Sequence, residues 1–335
     1  MLSYLTRRVI GTIPVIILIS LLVFLLVHAA PGDPADLLLS DEADAQDVAE
    51  ARARWGLDQP VYIQYVKFLW ACLQGDLGMS FRYADPVLLL ITERLPATIE
   101  LAIVSIIIAV IFGVPLGVWA GARPNSWADN FGSLFGFFGV SMPNFWLGIM
   151  LILVVAGYFN LLPSAGRDTY GIAGDPITGF YILDSILQRN WVALWDGIKY
   201  IIMPATALGT NMMGILMRVT RSSVLEVMHE DYVTTARAKG LSERVVLWHH
   251  VLRNALIPII TVVGLELGTL LSGSIIVETV FAWPGSGALL ISAITSRDYP
   301  LITGTVLMYT MAFVIINFII DVLYAVIDPR IRFEK

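Results

Sequence analysis

R-S-S-V-L-E-V-M-H-E-D-Y-V-T-T-A-R-A-K-G-L-S-E-R-V-V-L-W-H-H-V-L-R-N-A-L-I-P, Arg221 to Pro258, is a polar island between two apolar runs, each long enough to cross a bilayer. It carries Arg221, Arg237, Lys239, Arg244 and Arg253 and three of the four histidines. Asp231 can cap a short helix, and Gly240 is the residue type that stops one. Arg237 and Lys239 then fall in its last turn, where cations suit the helix dipole. Ala236 and Ala238 keep the sides of that helix thin, so a second protein surface can approach its backbone. The pattern suits a small docking peg, with a solvated loop that merely follows charge bias as the plain alternative. Ser242 can cap a second helix running through Trp248 toward Pro258.

Outward from the island, the 335 residues are 57% hydrophobic and only 14% charged, against about a quarter charged in soluble domains. The mean hydropathy of +0.76 agrees, and both predict an all-α polytopic membrane protein. Arg7 and Arg8 precede an uncharged run, Val9 to Ala30, which reads as a first transmembrane helix rather than a cleaved signal. A polar excursion follows, Pro31 to Pro96, with eleven acidic and five basic residues. Within it, Asp41 to Arg54 has helical composition, and Val61 to Trp70 is aromatic and amphipathic enough to lie on a membrane surface.

Five more spans are expected. Helix two, about Ile99 to Ala122, repeats glycine at Gly113, Gly117 and Gly121, a groove for close helix contact, with Pro115 as a kink. Helix three, Phe131 to about Leu162, repeats the spacing at Gly132 and Gly136 and is broken at Ser141-Met142-Pro143-Asn144. Helix four covers Tyr200 to Met217, helix five about Ile257 to Phe281, and helix six Leu301 to Ile327. Six spans put both ends on one side. Twelve Lys or Arg lie in the segments of that side, while the other nine are diluted in longer loops among sixteen acids. The positive-inside rule therefore expects the island and both termini in the cytoplasm.

The chemistry that is missing narrows the function. There is no G-x-x-x-x-G-K-[ST] loop, so the chain has no phosphate cradle of that kind. His249 and His250 are adjacent and point to different helix faces, unlike the i, i+4 pair of a metalloprotease. One cysteine, Cys72, excludes an internal disulfide. No catalytic residue and no metal site is assigned. Ser272-Gly273-Ser274 would suit an intramembrane serine protease only with a base at its depth, and His28 is placed near the outer rim. The costly groups are acids in the spans: Glu100, Glu266, Glu278 and Asp321. Glu266 or Glu278 can line a polar pathway, with an interhelical hydrogen bond as the alternative. Ser141 and Asn144, at the break in helix three, are the other pathway candidates.

Blocks across nearly the whole chain resemble the binding-protein-dependent ABC importer permeases, in particular the dipeptide, oligopeptide and nickel group. They include P-G-D-P at Pro31, G-D-L-G-M-S at Gly75 to Ser80, L-P-A-T-I-E-L-A at Leu95 to Ala102 and S-M-P-N-F-W-L-G at Ser141 to Gly148. R-x-T-R-S-S-x-L-E-V at Arg218 to Val227, D-Y-V-T-T-A-R-A-K-G-L at Asp231 to Leu241 and R-N-A-L-I-P at Arg253 to Pro258 cover the island. E-T-V-F-A-W-P-G at Glu278 to Gly285, R-D-Y-P at Arg297 to Pro300 and D-P-R-I-R at Asp328 to Arg332 follow. The chain departs from the general permease loop by having Thr234-Thr235-Ala236 where E-A-A is usual, and by a longer Gly240 to Pro258 interval.

The resemblance implies a type I ABC importer permease fold with six transmembrane helices: residues 1–30 for the first span, an extracytoplasmic insertion at 31–96, and a core at 97–335 with its coupling loop at 220–258. It implies that Asp231, Tyr232, Thr235, Ala236, Arg237, Ala238, Lys239 and Gly240 meet a separate ATPase. It further implies a second homologous permease in a heterodimer, two ATPases that carry the ATP and Mg, and an extracytoplasmic binding protein. No cofactor on this chain and no nucleic acid is expected, and the bacterial inner membrane is the expected site, with lipid around the spans. Short peptides are the expected solute, the insertion near Asp175 to Phe180 looking most like the first subunit of the dipeptide type. Nickel uptake, a secondary carrier and an intramembrane hydrolase are the alternatives.

Overall fold

The computed structural model describes residues 2–29, 53, 58–172 and 174–327. The P-G-D-P turn, most of the Asp41 to Arg54 stretch and the tail from Asp328 lie outside the described residues, as do the side chains of Ser272 and Asp321.

The order is α1 (Leu2–Ala29), α2 (Val61–Leu73), α3 (Val87–Ala122), α4 (Trp127–Ser141), α5 (Asn144–Leu151), α6 (Tyr181–Leu187), α7 (Trp191–Val227) and α8 (Asp231–Ala238). α9 (Glu243–Val245), α10 (Leu252–Val280), α11 (Ser286–Thr295) and α12 (Tyr299–Ile327) complete it, with π-helical turns at Ile152–Tyr158 and Val246–Val251. Five described helices are long and apolar enough to cross a membrane, or six when α4 and the helix from Asn144 count as one broken span. That span bends by 101° at Met142 and Pro143, where proline denies the helix a backbone donor.

Two spans are longer than their apolar cores suggest. α3 begins at Val87 and runs on through Pro96 and Pro115. α7 extends for 37 residues, about 55 Å of helix. Its charged flanks do not end it because they are satisfied: Asp196 accepts from the Thr169 amide at 2.7 Å and hydroxyl at 2.9 Å, and Arg221 pairs with Asp129. Asn190 caps its start, accepting from the Ala193 amide at 3.1 Å.

The chain divides into two compact units, Met1–Pro96 with Pro284–Ile315, and Ala97–Trp283 with Ile316–Lys335. In the first, α2 lies beside α1: His28 bonds the Phe24 carbonyl at 2.8 Å and the Gln64 side chain at 3.0 Å, and Tyr65 meets Ser20 at 3.0 Å. The opposite face of α2 exposes Tyr62, Val66, Trp70 and Leu73, the amphipathic pattern anticipated there. Asp298, wholly buried, accepts from the Ser80 hydroxyl at 2.5 Å, the Arg82 amide at 3.1 Å and the Leu301 amide at 3.2 Å. It thereby ties the G-D-L-G-M-S segment to the start of α12.

In the second unit α7 is the axis. A Cβ on Gly113, Gly117 or Gly121 of α3 would stand 2.9, 2.6 or 2.8 Å from the carbonyl oxygens of Met213, Met217 or Arg221 on α7. α4 approaches α7 as closely: a Cβ on Gly139 would lie 2.7 Å from the Thr210 oxygen. Small residues thus let backbones meet, as membrane helices require where lipid offers no hydrophobic drive.

The connection before α7 is held by two buried carboxylates. Glu100 accepts from Arg167 at 2.6 Å and from the Ile182 amide at 2.7 Å, and the Arg167 and Glu100 side chains are only 13% and 6% exposed. Removing one member leaves the other buried and unpaired, so Arg167→Ala is expected to destabilise the folded chain by ~3–5 kcal/mol, read as a fall in melting temperature. The second, Asp184, is pushed up by burial, but donors from the Thr178 hydroxyl and amide and the Ile177 and Gly179 amides outweigh this and hold it below the usual carboxylate range. Its stabilisation is therefore present above the unfolded value of about 3.9 and is lost as pH falls from there through the depressed folded value. Limited proteolysis of the 174–180 loop should accelerate on acidification below about pH 4, and Asp184→Asn should remove that dependence.

Candidate functional site

α8 occupies the middle of the polar island. Glu230 holds the N-cap position and Asp231 stands in the first turn, without a side-chain capping bond; Asp231 is thus not the cap that its residue type suggests, although its charge still faces the positive helix end. The far end follows the expected chemistry. Gly240 has φ of +80°, and the amides of Gly240 and Leu241 return to the carbonyls of Arg237 and Ala236 at 2.9 and 3.4 Å, a Schellman turn that needs glycine. Ser242 stands at the N-cap of α9 but makes no side-chain cap.

One face of α8 is an anchor. Val233 and Ala236, 0% and 6% exposed, pack with Val118 of α3, Val224 of α7, Val246 and Val251 of the π-helical turn, and Ala255 of α10. Ala236 therefore does not present a thin side to a partner. It is small because the ends of three spans crowd beneath it, and a bulky residue there would unseat α8.

The other face is open. Asp231, Tyr232, Thr234, Thr235, Ala238, Lys239 and Gly240 are exposed. Thr234 belongs with them although the expected docking set left it out; its spacing from Asp231 and Ala238 was the available signal. Arg237 is partly exposed and engaged, Nε donating to Glu243 at 2.9 Å. Tyr232 accepts from Asn254 at 2.8 Å. Two side contacts thus brace the short helix on the segment leading into α10.

The pathway candidates separate. Ser141 closes α4 and Asn144 opens α5, so both sit at the 101° bend, and Ser141 lines a partly enclosed pocket with Ser133, Gly214 and Arg218. Glu266 lies partly buried within α10. Glu278 is 0% exposed and accepts from Thr98 at 2.7 Å, while Trp283 nearby donates Nε1 to the Ala97 carbonyl at 3.0 Å. No group of three or more metal-ligating side chains occurs among the described residues.

A helical membrane bundle whose inter-span loop presents one seated helix is the class defined so far, and the family follows from the whole sequence. Residues 113–333 match the family described as binding-protein-dependent transport system inner membrane component, and residues 1–102 match the N-terminal region of such membrane components. The chain belongs to this family: it is a multi-pass inner-membrane permease subunit of an ABC importer, not an enzyme.

Among its relatives, the dipeptide transport system permease protein DppB of Alkalihalophilus pseudofirmus is 43% identical over 336 residues, covering 99% of this chain and 100% of the relative. DppB of Escherichia coli K12 is 41% identical with all of both chains covered. The glutathione transport system permease protein GsiC of Salmonella paratyphi A is 40% identical, again with all of both covered. A solved structure of the MetNI methionine ABC transporter in an inward-facing conformation matches with a TM-score of 0.51 at 15% identity, over 71% of this chain and 96% of that one, which shows the shared permease fold.

Proposed function

We propose that this chain forms half of the pathway of an ATP-driven importer for short peptides, dipeptides foremost, delivered by an extracytoplasmic binding protein. The carrying observation is α8: an exposed face aimed away from the bundle, and a buried face seated on α3, α7 and α10. The sequence relatives named for dipeptide and glutathione transport support the solute class. In this reading a separate ATPase pair, holding ATP and Mg, grips Asp231, Tyr232, Thr235, Ala238, Lys239 and Gly240 from the cytoplasm. Arg237 keeps the grip oriented through Glu243, and Ala236 passes the force inward. Closure of the ATPases then favours one packing of the three spans over another, a population shift carried by a rigid contact.

The proposal includes a heterodimer with a second homologous permease, both termini in the cytoplasm, an outer insertion at 31–96 and the core at 97–335. It also gives the break at Ser141 and Asn144, and the acids Glu266 and Glu278, roles along the pathway. Glu278 would have to release Thr98 to reach solute.

The test is uptake by the reconstituted assembly with labelled dipeptide, tripeptide or nickel, with and without ATP. Saturable, ATP-dependent dipeptide uptake is expected; uptake that persists without the ATPases would refute the scheme. Glu266→Ala and Glu266→Leu should both lower peptide transport, and unchanged rates in both would remove Glu266 from the pathway.

A further inference from the structure

Beyond α8, the chain re-enters the apolar span Glu243–Gly268 through the π-helical turn Val246–Val251. That wider turn puts Val246 and Val251 into the seat of α8 and leaves Arg244, Val245, Trp248 and His249 together on the outside, around a shallow open recess. Trp248 is 52% and Val245 42% exposed. Beyond the exposed Arg253 and Asn254, Leu256 and Ile257 are also exposed, so the outward residues become apolar as the segment enters the span.

The charges on it have one sign. From Gly240 to Leu265 the cations are Arg244 and Arg253, and the one acid is Glu243, already held by Arg237. No acid pairs with Arg244 among the described residues. An unpaired guanidinium beside an exposed indole, at the entry to a membrane span, matches the phosphate and glycerol zone of a bilayer. There an indole sits between water and hydrocarbon, and a long cationic side chain reaches the headgroups.

We propose that Arg244, Trp248 and His249 form a contact site for the phosphate of an anionic membrane phospholipid in the leaflet nearest α8. Arg244 donates to the phosphate oxygens, Trp248 packs on the glycerol and upper acyl chain, and the lipid braces the segment that connects α8 to α10. None of the three belongs to the α8 residues assigned to the ATPases, and the site does not depend on the solute carried.

The test uses the whole assembly in phosphatidylcholine vesicles containing either brominated phosphatidylglycerol or brominated phosphatidylcholine. The Trp248 signal is isolated as the difference between wild type and Trp248→Phe. Quenching is expected at about fivefold lower mole fraction of the anionic lipid, the effect of one cation at a membrane surface. Arg244→Gln should abolish that preference and leave the quenching of the other tryptophans unchanged. Equal quenching by both lipids, or a preference that survives Arg244→Gln, overturns the proposal. Quenching by neither lipid also overturns it, because a protein partner then covers the face. Free glycerol phosphate should not compete; if it does, the site takes a small anion rather than a lipid. Should Trp248→Phe fail to assemble, the readout becomes co-purified phosphatidylglycerol, retained by wild type and lost from Arg244→Gln.

Discussion

Replacing Ala238 with tryptophan is expected to leave the chain folded and inserted while cutting ATP-driven uptake by at least about thirtyfold, the penalty for disrupting a central interface contact of ~2 kcal/mol or more. Ala238 is exposed on the open face of α8 and is not a member of the cluster that seats the helix. An added indole there extends from the exposed face, toward whatever grips the helix. Ala236→Trp is the informative contrast. Its side chain would have to enter the space among Val118, Val224, Val246 and Val251, so the expected loss is of folded protein as well as of transport. Arg237→Glu should give an intermediate result: it reverses an exposed ion pair with Glu243, worth at most about 1 kcal/mol to folding, and turns it into a repulsion. The measurement is uptake normalised to the amount of assembled permease. Wild-type uptake in Ala238→Trp at normal abundance would remove α8 as the docking element.

Gly117→Ala is the second large effect, and it concerns the bundle rather than the loop. The new Cβ would lie 2.6 Å from both the Met217 oxygen and the Thr220 Cβ. Because one of those atoms is backbone, α3 and α7 must move apart along the stripe that Gly113 and Gly121 continue. The expected cost is about 3 kcal/mol, the upper end for overpacking, and is read as lost thermal stability in detergent. Truncating Thr220 to alanine should not rescue it, since the Met217 oxygen remains. Gly11→Ala in α1, where nothing lies within 4 Å, should change stability by no more than about 0.5 kcal/mol. Equal stability of the Gly117 and Gly11 variants would show that the α3 and α7 contact is looser than described.

The sequence was legible wherever local chemistry decides. Apolar runs located the spans, Pro143 located the bend in the third, and the glycine period at Gly113, Gly117 and Gly121 identified a contact face. Gly240 ended α8 because few other residues take its positive φ. Span ends were less legible: the fourth span was expected to stop at Tyr200 and Met217, whereas α7 runs from Trp191 to Val227, past Asp196 and Arg221, whose charges are answered by Thr169 and Asp129.

What the sequence determined by itself is a bundle of apolar helices with a basic, glycine-terminated helix in one loop, since those features depend on steric and solvation preferences acting over a few neighbouring residues. Only the tertiary structure decided which of two chemically identical alanines, Ala236 or Ala238, faces inward. It likewise decided that Asp298 answers Ser80 across 218 positions and Glu278 answers Thr98 across 180. A methyl group is buried, and a carboxylate satisfied, only by atoms that folding brings from elsewhere in the chain, and no local pattern names those atoms in advance.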